Sequence, residues 1–432
     1  MSGSLLGYAG MRINPDNGLE ELGHPKMMST PIYYKANSGD ALTILEADYE
    51  YAIATYKPEI SDKWIYTYDY APDQSWTTYR NDMRDYRKES YTFSESVYFR
   101  LCLRKLSGQA FDGSEDISRI ISFEAAAQKT DLAKPWIKEE ACRVAEKVRK
   151  RLVDGCMVFA VMTDTHYVIN GTWQDTVHAL GLLGKQIPLD GIIHLGDFTD
   201  GMVTKEATGY YVKKVLSDLK SFGVPVYPTI GNHDTNYFKK NPGLLSVQEQ
   251  RDLYLDGKDV RYFVDLPYVR LIFVDSFDPE RRLRYGYSED TIMWLDGALG
   301  ALPDGKKAMI FSHLPPVTRL QYWAKSLYGE KELAEMLGKH RRSILAWING
   351  HNHADHADCN EGFPVISITN AKCEEFHDYK PGGAITPSRK LGDVTQEAWD
   401  VLLVEPDSGN MYFIRFGAGN DKAVIGGNAV WL

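Results

Sequence analysis

The sequence predicts an α/β domain over roughly residues 155–432, preceded by a separate, mostly β module. Three observations lead there. From Cys156 onward, short apolar β-branched runs alternate with stretches of helical spacing, as in a sheet flanked by helices. Residues 1 to about 128 are instead tyrosine-rich and partly alternating, the texture of half-buried strands. A chain of 432 residues is also too long for one ordinary core, so two domains are expected.

In the first module, Trp64-Ile-Tyr-Thr-Tyr-Asp-Tyr70 and Val97-Tyr-Phe-Arg-Leu-Cys-Leu-Arg104 read as strands, with Gly, Pro, Asn and Asp between such runs. A small sandwich is expected. It contains no internal repeat and no catalytic constellation. Its aromatic richness suggests recognition of a carbohydrate, a cell envelope or a phage component. The competing reading is a structural domain that shields a sheet edge or mediates oligomerisation. Between Asp131 and Val153 the pattern turns helical: Ala133, Trp136, Ile137, Ala141, Val144, Ala145, Val148 and Leu152 recur at helical spacing, Pro135 suits a first turn, and Gly155 follows the end. This segment, 129–154, is expected to be a linker helix.

Within 155–432 the elements follow in order. Met157–Met162 is a buried strand leading to Asp164, and a helix around Asp175–Lys185 follows. Gly191–Leu195 leads to Asp197, and Thr208–Phe222 is helical. Val224–Tyr227 leads to Asn232, Leu271–Val274 to Asp275, Ala308–Phe311 to His313, and Ile344–Ile348 to His351. The later runs Pro364–Ile368, Trp399–Val404 and Met411–Phe416 are expected to complete a second sheet packed on the first. Ligands of open α/β sheets sit beyond the carboxyl ends of the strands. The polar residues just named lie one to five positions past such ends, so loops distant in sequence can converge.

Five short segments hold the chemistry: Asp164-Thr-His166, Gly196-Asp197, Gly231-Asn232-His233-Asp234, Ser312-His313 and Gly350-His351-Asn-His353. They bring imidazoles, carboxylates and one amide, the side chains two adjacent divalent cations need. Two such ions side by side are the usual apparatus for attacking phosphorus with water.

Composition narrows the setting. Hydrophobic residues at 44% and charged residues at 25% describe a soluble globular protein, and no apolar run reaches a membrane span. The start, Met1-Ser-Gly-Ser-Leu-Leu-Gly-Tyr, lacks signal-peptide character, so a cytoplasmic location, or a phage particle assembled there, is expected. A net charge of −10 argues against long nucleic acid as a partner. Five widely spaced cysteines suggest neither a disulfide framework nor a zinc ribbon, and Cys359 and Cys373 read as buried packing.

The five segments, in series and each after a strand, resemble the pattern D-x-H, G-D, G-N-H-(D/E), H and G-H-x-H of the calcineurin-like metallophosphoesterase family, over roughly residues 155–420. The resemblance implies a four-layer αββα sandwich. It implies that Asp164, His166, Asp197 and His353 hold one divalent metal, and Asp197, Asn232, His313 and His351 a second, with Asp197 bridging. Nitrogen and oxygen ligands suit manganese, iron or zinc. It further implies that His233 contacts phosphate and assists the leaving oxygen, and that the Asp200 carboxylate orients this histidine, with Asp234 as the competing orienter. His194, inside an apolar strand, reads as a core residue, and Asp275 as structural.

Departures from the pattern choose a branch. Gly201 stands where protein serine/threonine phosphatases of this family carry arginine, and their asparagine block ends in glutamate rather than Asp234. Asp200 stands where purple acid phosphatases carry tyrosine. The pattern looks more like the phosphodiesterase side of the family, with a nucleotide or cell-envelope diester as expected substrate. The alternatives are a metal-dependent nuclease, and a virion or surface structural protein that retains the scaffold. Arg281-Arg-Leu-Arg284 with Tyr285 and Tyr287, and the flanking Tyr167 and Tyr237, are candidate pocket residues against a plainer reading as loop and wall.

Overall fold

A computed structural model describes residues 5–432 except 17, 19, 59–76, 82–84, 126–132, 168–171, 202, 238–240, 242 and 376–379. The chain divides into two compact units, Met1–Leu132 and Ala133–Leu432.

In the first unit the long strands Tyr49–Pro58 and Val97–Lys105 pair antiparallel inside a six-stranded sheet, in register from Tyr98 opposite Tyr56 to Lys105 opposite Tyr49. Ile121–Glu124, Ala41–Ile44 and Tyr91–Thr92 form a three-stranded sheet. Phe99 of the larger sheet meets Phe123 of the smaller at 5.0 Å and Phe93 at 4.9 Å, so the two sheets share an aromatic core. The strand expected at Trp64–Tyr70 lies outside the described residues.

The second unit is built on two sheets. The first joins β1 (Met157–Met162), β2 (Gly191–His194), β3 (Val226–Pro228) and, from the end of the chain, β10 (Ala398–Val404), β11 (Met411–Gly417), β12 (Lys422–Ile425) and β13 (Asn428–Trp431). Its order is β3-β2-β1-β10-β11-β12-β13, parallel through β3, β2 and β1 and antiparallel beyond. The second joins β4 (Tyr262–Asp265), β5 (Val269–Val274), β6 (Lys307–Ser312), β7 (Ile344–Asn349), β8 (His356–Asp358) and β9 (Val365–Ser367) in the order β4-β5-β6-β7-β9-β8. The last strands therefore do not gather in one added sheet. The 365–367 strand extends the second sheet, while β10 and β11 close the free edge of β1 in the first.

Strand periodicity explains the layers. Met157, Phe159 and Val161 of β1 point to one core with Phe273, Phe311 and Ile348 of the facing sheet. Val158, Ala160 and Met162 point the other way, onto helices α1 (Pro135–Arg149), α2 (Trp173–Gly184) and α3 (Lys205–Lys220). On the far side, Ile272, Val274 and Ile310 meet α5 (Glu289–Gly300) and α6 (Glu330–His340), while α4 (Val247–Tyr254) adds Tyr254 to the α1–α3 side. The result is a four-layer αββα sandwich. α1 buries Ile137, Ala141, Val144, Ala145 and Val148 in this core, so the segment expected as a linker is one of the helical layers. α3 starts at Lys205, earlier than its apolar spacing suggested, because the Thr204 hydroxyl caps the Ala207 amide.

Candidate metal centre

The site forms where the loops after β1, β2, β3, β6 and β7 meet. Reaching it distorts the chain. Among the described non-glycine residues with positive φ, five of seven belong here: Asp164 (51°), His166 (39°), Asp197 (56°), His351 (68°) and His353 (51°). Such conformations are costly and persist where surrounding contacts over-determine them. The motif glycines are the room this needs. A Cβ on Gly231 would run into the amide and carboxylate of Asp197, and one on Gly350 into the Thr163 hydroxyl.

The structure brings all seven expected ligands together. Asp164, His166 and His353 offer atoms within 4.8 Å of one another, and so do Asp197, His313 and His351. The two carboxylates divide their labour alike. Asp164 Oδ2 accepts the His351 amide (2.9 Å) and the Thr163 hydroxyl (2.6 Å), while Oδ1 is buried without a hydrogen bond, 3.2 Å from His353 Nε2 and 3.6 Å from His166 Nε2. Asp197 Oδ1 accepts the His233 amide (2.8 Å), while Oδ2 lies between the two clusters, 3.1 Å from His313 Nε2 and 3.7 Å from His166 Nε2. Asn232 Oδ1 is 3.0 Å from His313 Nε2, and His351 Nδ1 is 3.1 Å from the same nitrogen.

The far ring nitrogens reveal what the near ones do. His166 Nδ1 faces Asp200 Oδ1 at 3.1 Å, His353 Nδ1 faces Glu374 Oε1 at 3.0 Å, and His313 Nδ1 faces the Leu195 carbonyl at 2.8 Å. An oxygen beside Nδ1 favours the proton there and the Nε2 lone pair aimed inward. The Nε2 atoms of His166 and His353 then sit 3.3 Å apart beside a carboxylate oxygen with no hydrogen-bond partner among the described residues. Lone pairs converging on one point in a buried place are what a cation satisfies, so the donor set fits divalent metal. The carboxylates of the cluster also attract positive charge. Burial works against a charged His313, yet Asp197 and Asp164 push its pKa up to about 9. Burial also works against ionised Asp164, yet the His353 and His313 charges hold its pKa well below the usual carboxylate range.

His233 stands at the cluster's edge, partly exposed, its ring edge-on to His166 at 4.5 Å. Its Nδ1 donates to the backbone carbonyl of Asp200 at 2.6 Å, and burial lowers its pKa to about 4, so the ring is neutral near pH 7. The Asp200 carboxylate does not orient His233, because it is turned to His166. Nor does Asp234, which accepts the amides of Gly231, Asp197 and Phe198 and so shapes the loops. His194 is fully buried, stacked at 3.7 Å on Phe198, with burial lowering its pKa to about 3.

Around the mouth, Tyr285 lies 5.4 Å from His351 and its hydroxyl 3.2 Å from that of Tyr237, with Arg284 over the Tyr237 ring at 5.3 Å. Tyr287 is instead a core residue whose hydroxyl donates to the Leu314 carbonyl at 2.8 Å, and Tyr167 packs on Trp173 and Tyr211. Asp355 joins Arg415, Asp400 and Lys422 in a buried ion network. Burial pushes the Cys373 thiol up to about 12. Sequence reasoning missed Lys372 and Glu374. They lie in the loop after β9, and Glu374 falls beyond the one-to-five-residue reach at which the candidate ligands follow their strands.

Residues 157–355 match the family model described as calcineurin-like phosphoesterase. Over 167 residues the chain is 30% identical to a probable glycerophosphodiester phosphodiesterase of Arcobacter nitrofigilis, which covers 38% of this chain and 56% of that relative. Over 206 residues it is 22% identical to a manganese-dependent ADP-ribose/CDP-alcohol diphosphatase of Arabidopsis thaliana, covering 38% of this chain and 64% of that one. The chain thus spans less than two thirds of either relative's length. A dimetal phosphatase from Danio rerio aligns at 18% identity with a TM-score of 0.47, over 62% of this chain and 98% of that one. Residues 157–355 are thus similar to the calcineurin-like phosphoesterase family.

Proposed function

We propose that this protein is a two-metal phosphoester hydrolase acting on small phosphodiesters. The observation that carries the reading is Asp197 Oδ2, set between two converging donor groups, with His166 Nδ1 facing the Asp200 carboxylate and His313 Nδ1 the Leu195 carbonyl. Two divalent ions bound there supply Lewis acidity to the phosphoryl oxygens and lower the pKa of water at the site. Asp164, His166, Asp197 and His353 would hold one ion, and Asp197, Asn232, His313 and His351 the other. His233, with its Nδ1 held by the Asp200 carbonyl, stands at the rim where a proton taken up on Nε2 would assist the leaving oxygen. The diester preference is supported by Gly201 in place of a phosphatase arginine, and by relatives named for phosphodiester and diphosphate substrates.

The test is hydrolysis of a bis-aryl phosphodiester and of the matching monoester with added manganese, by wild type and His233→Ala. Diester turnover should exceed monoester turnover and fall by about 10²–10⁴-fold in the variant, with metal content unchanged. Preference for the monoester would overturn the diesterase assignment.

A further inference from the structure

Lys372 is buried, at 4% exposure, in the loop after β9. Its backbone is stitched to the first ligand loop: the Lys372 amide donates to the Asp164 carbonyl at 3.1 Å, and the preceding Ala371 amide to the Thr163 carbonyl at 2.8 Å. Its ammonium lies 3.3 Å from Glu374 Oε2 and 3.6 Å from Asp200 Oδ1. Each carboxylate faces a different imidazole, Asp200 that of His166 and Glu374 that of His353. Those imidazoles meet again at Nε2. The five side chains form a closed circuit: His166, Asp200, Lys372, Glu374, His353.

We propose that Lys372 is a positioning residue that sets the metal affinity of one position, that of Asp164, His166 and His353, selectively over the other; this rests on the two-metal reading. Asp200 and Glu374 are both buried, and two like charges in low dielectric repel strongly unless a cation stands between them. The ammonium holds them at the separation that suits the two Nδ1 atoms, and so fixes both tautomers and both ring orientations at once. At the second position His313 is instead oriented by the Leu195 backbone carbonyl. The consequence of removing the charge is therefore one-sided.

The experiment titrates the metal-free full-length chain with manganese, reading bound equivalents by equilibrium dialysis and the coupling of the ions by electron paramagnetic resonance. Wild type is expected to bind two equivalents. Lys372→Met should bind one with unchanged affinity and the other about 10–100-fold more weakly, giving an uncoupled signal at intermediate manganese. Lys372→Arg should restore the second equivalent. Glu374→Gln should weaken the same equivalent, and carries the test should Lys372→Met fail to fold. Two equivalents held by a folded Lys372→Met as tightly as by wild type, or both weakened equally, would overturn this inference alone. Fewer than two equivalents on the wild type would overturn the two-metal reading and this inference with it.

Discussion

The backbone carbonyl of Asp200, not its carboxylate, accepts the Nδ1 hydrogen of His233, at 2.6 Å. One residue thus serves two histidines through two different atoms, since its carboxylate faces His166 Nδ1 at 3.1 Å. The two services are separable by mutation, because a side-chain change leaves the carbonyl in place.

Asp200→Asn should therefore act through metal binding. The His166 position is expected to lose about 10–100-fold in affinity, and diester turnover should recover substantially at saturating manganese. Turnover measured against manganese concentration checks this. A loss in Asp200→Asn that manganese does not relieve, equal to that of His233→Ala, would return the orienting role to the carboxylate.

Much of this arrangement was legible in the sequence, and the limits have physical causes. Asp164, Asp197, Asn232, His313, His351 and His353 could be placed because each follows an apolar strand and the sheet delivers strand ends to one edge. His233's partner could not, because a backbone acceptor leaves no residue-type signal. Lys372 and Glu374 belong to no short motif, and their meaning appears only once the loop after β9 is seen against Asp164. The α1 pattern announced a helix, but amphipathic spacing does not say which core the apolar face meets. Placement of β10 and β11 beside β1 depends on long-range pairing that local patterning does not encode.

Close packing gives a paired test. Gly231→Ala places a methyl group against the Asp197 amide and carboxylate, whereas Gly209, in α3, has nothing within 4 Å of an added Cβ. Gly231→Ala should cost about 1–3 kcal/mol and impair metal binding. Gly209→Ala should stabilise by about 0.4–1 kcal/mol through the unfolded chain. Urea midpoints at constant slope measure both. Equal effects of the two substitutions would contradict the geometry.

Glu397, which is not among the proposed metal ligands, supplies a pH dependence of its own. Burial raises its carboxyl to about 7, against bonds from Thr176 at 2.7 Å and Gln396 at 3.3 Å. With the folded value above the ordinary 4.5, the native state binds the extra proton between those values. Its contribution is therefore fully present below about 4.5 and lost as pH rises through about 7. Thermal midpoints of wild type and Glu397→Gln should shift in favour of the variant from pH 5 to pH 8, by about 1 kcal/mol or more. A constant gap across that range would show that Glu397 ionises normally.

The most direct measurement of the central claim is the manganese content of dialysed wild type and Asp197→Ala, taken with their diester turnover. Two ions sharing one carboxylate predict two manganese per wild-type chain, loss of both together in the variant, and turnover lost with them. Retention of one ion at wild-type affinity in Asp197→Ala would contradict a shared carboxylate.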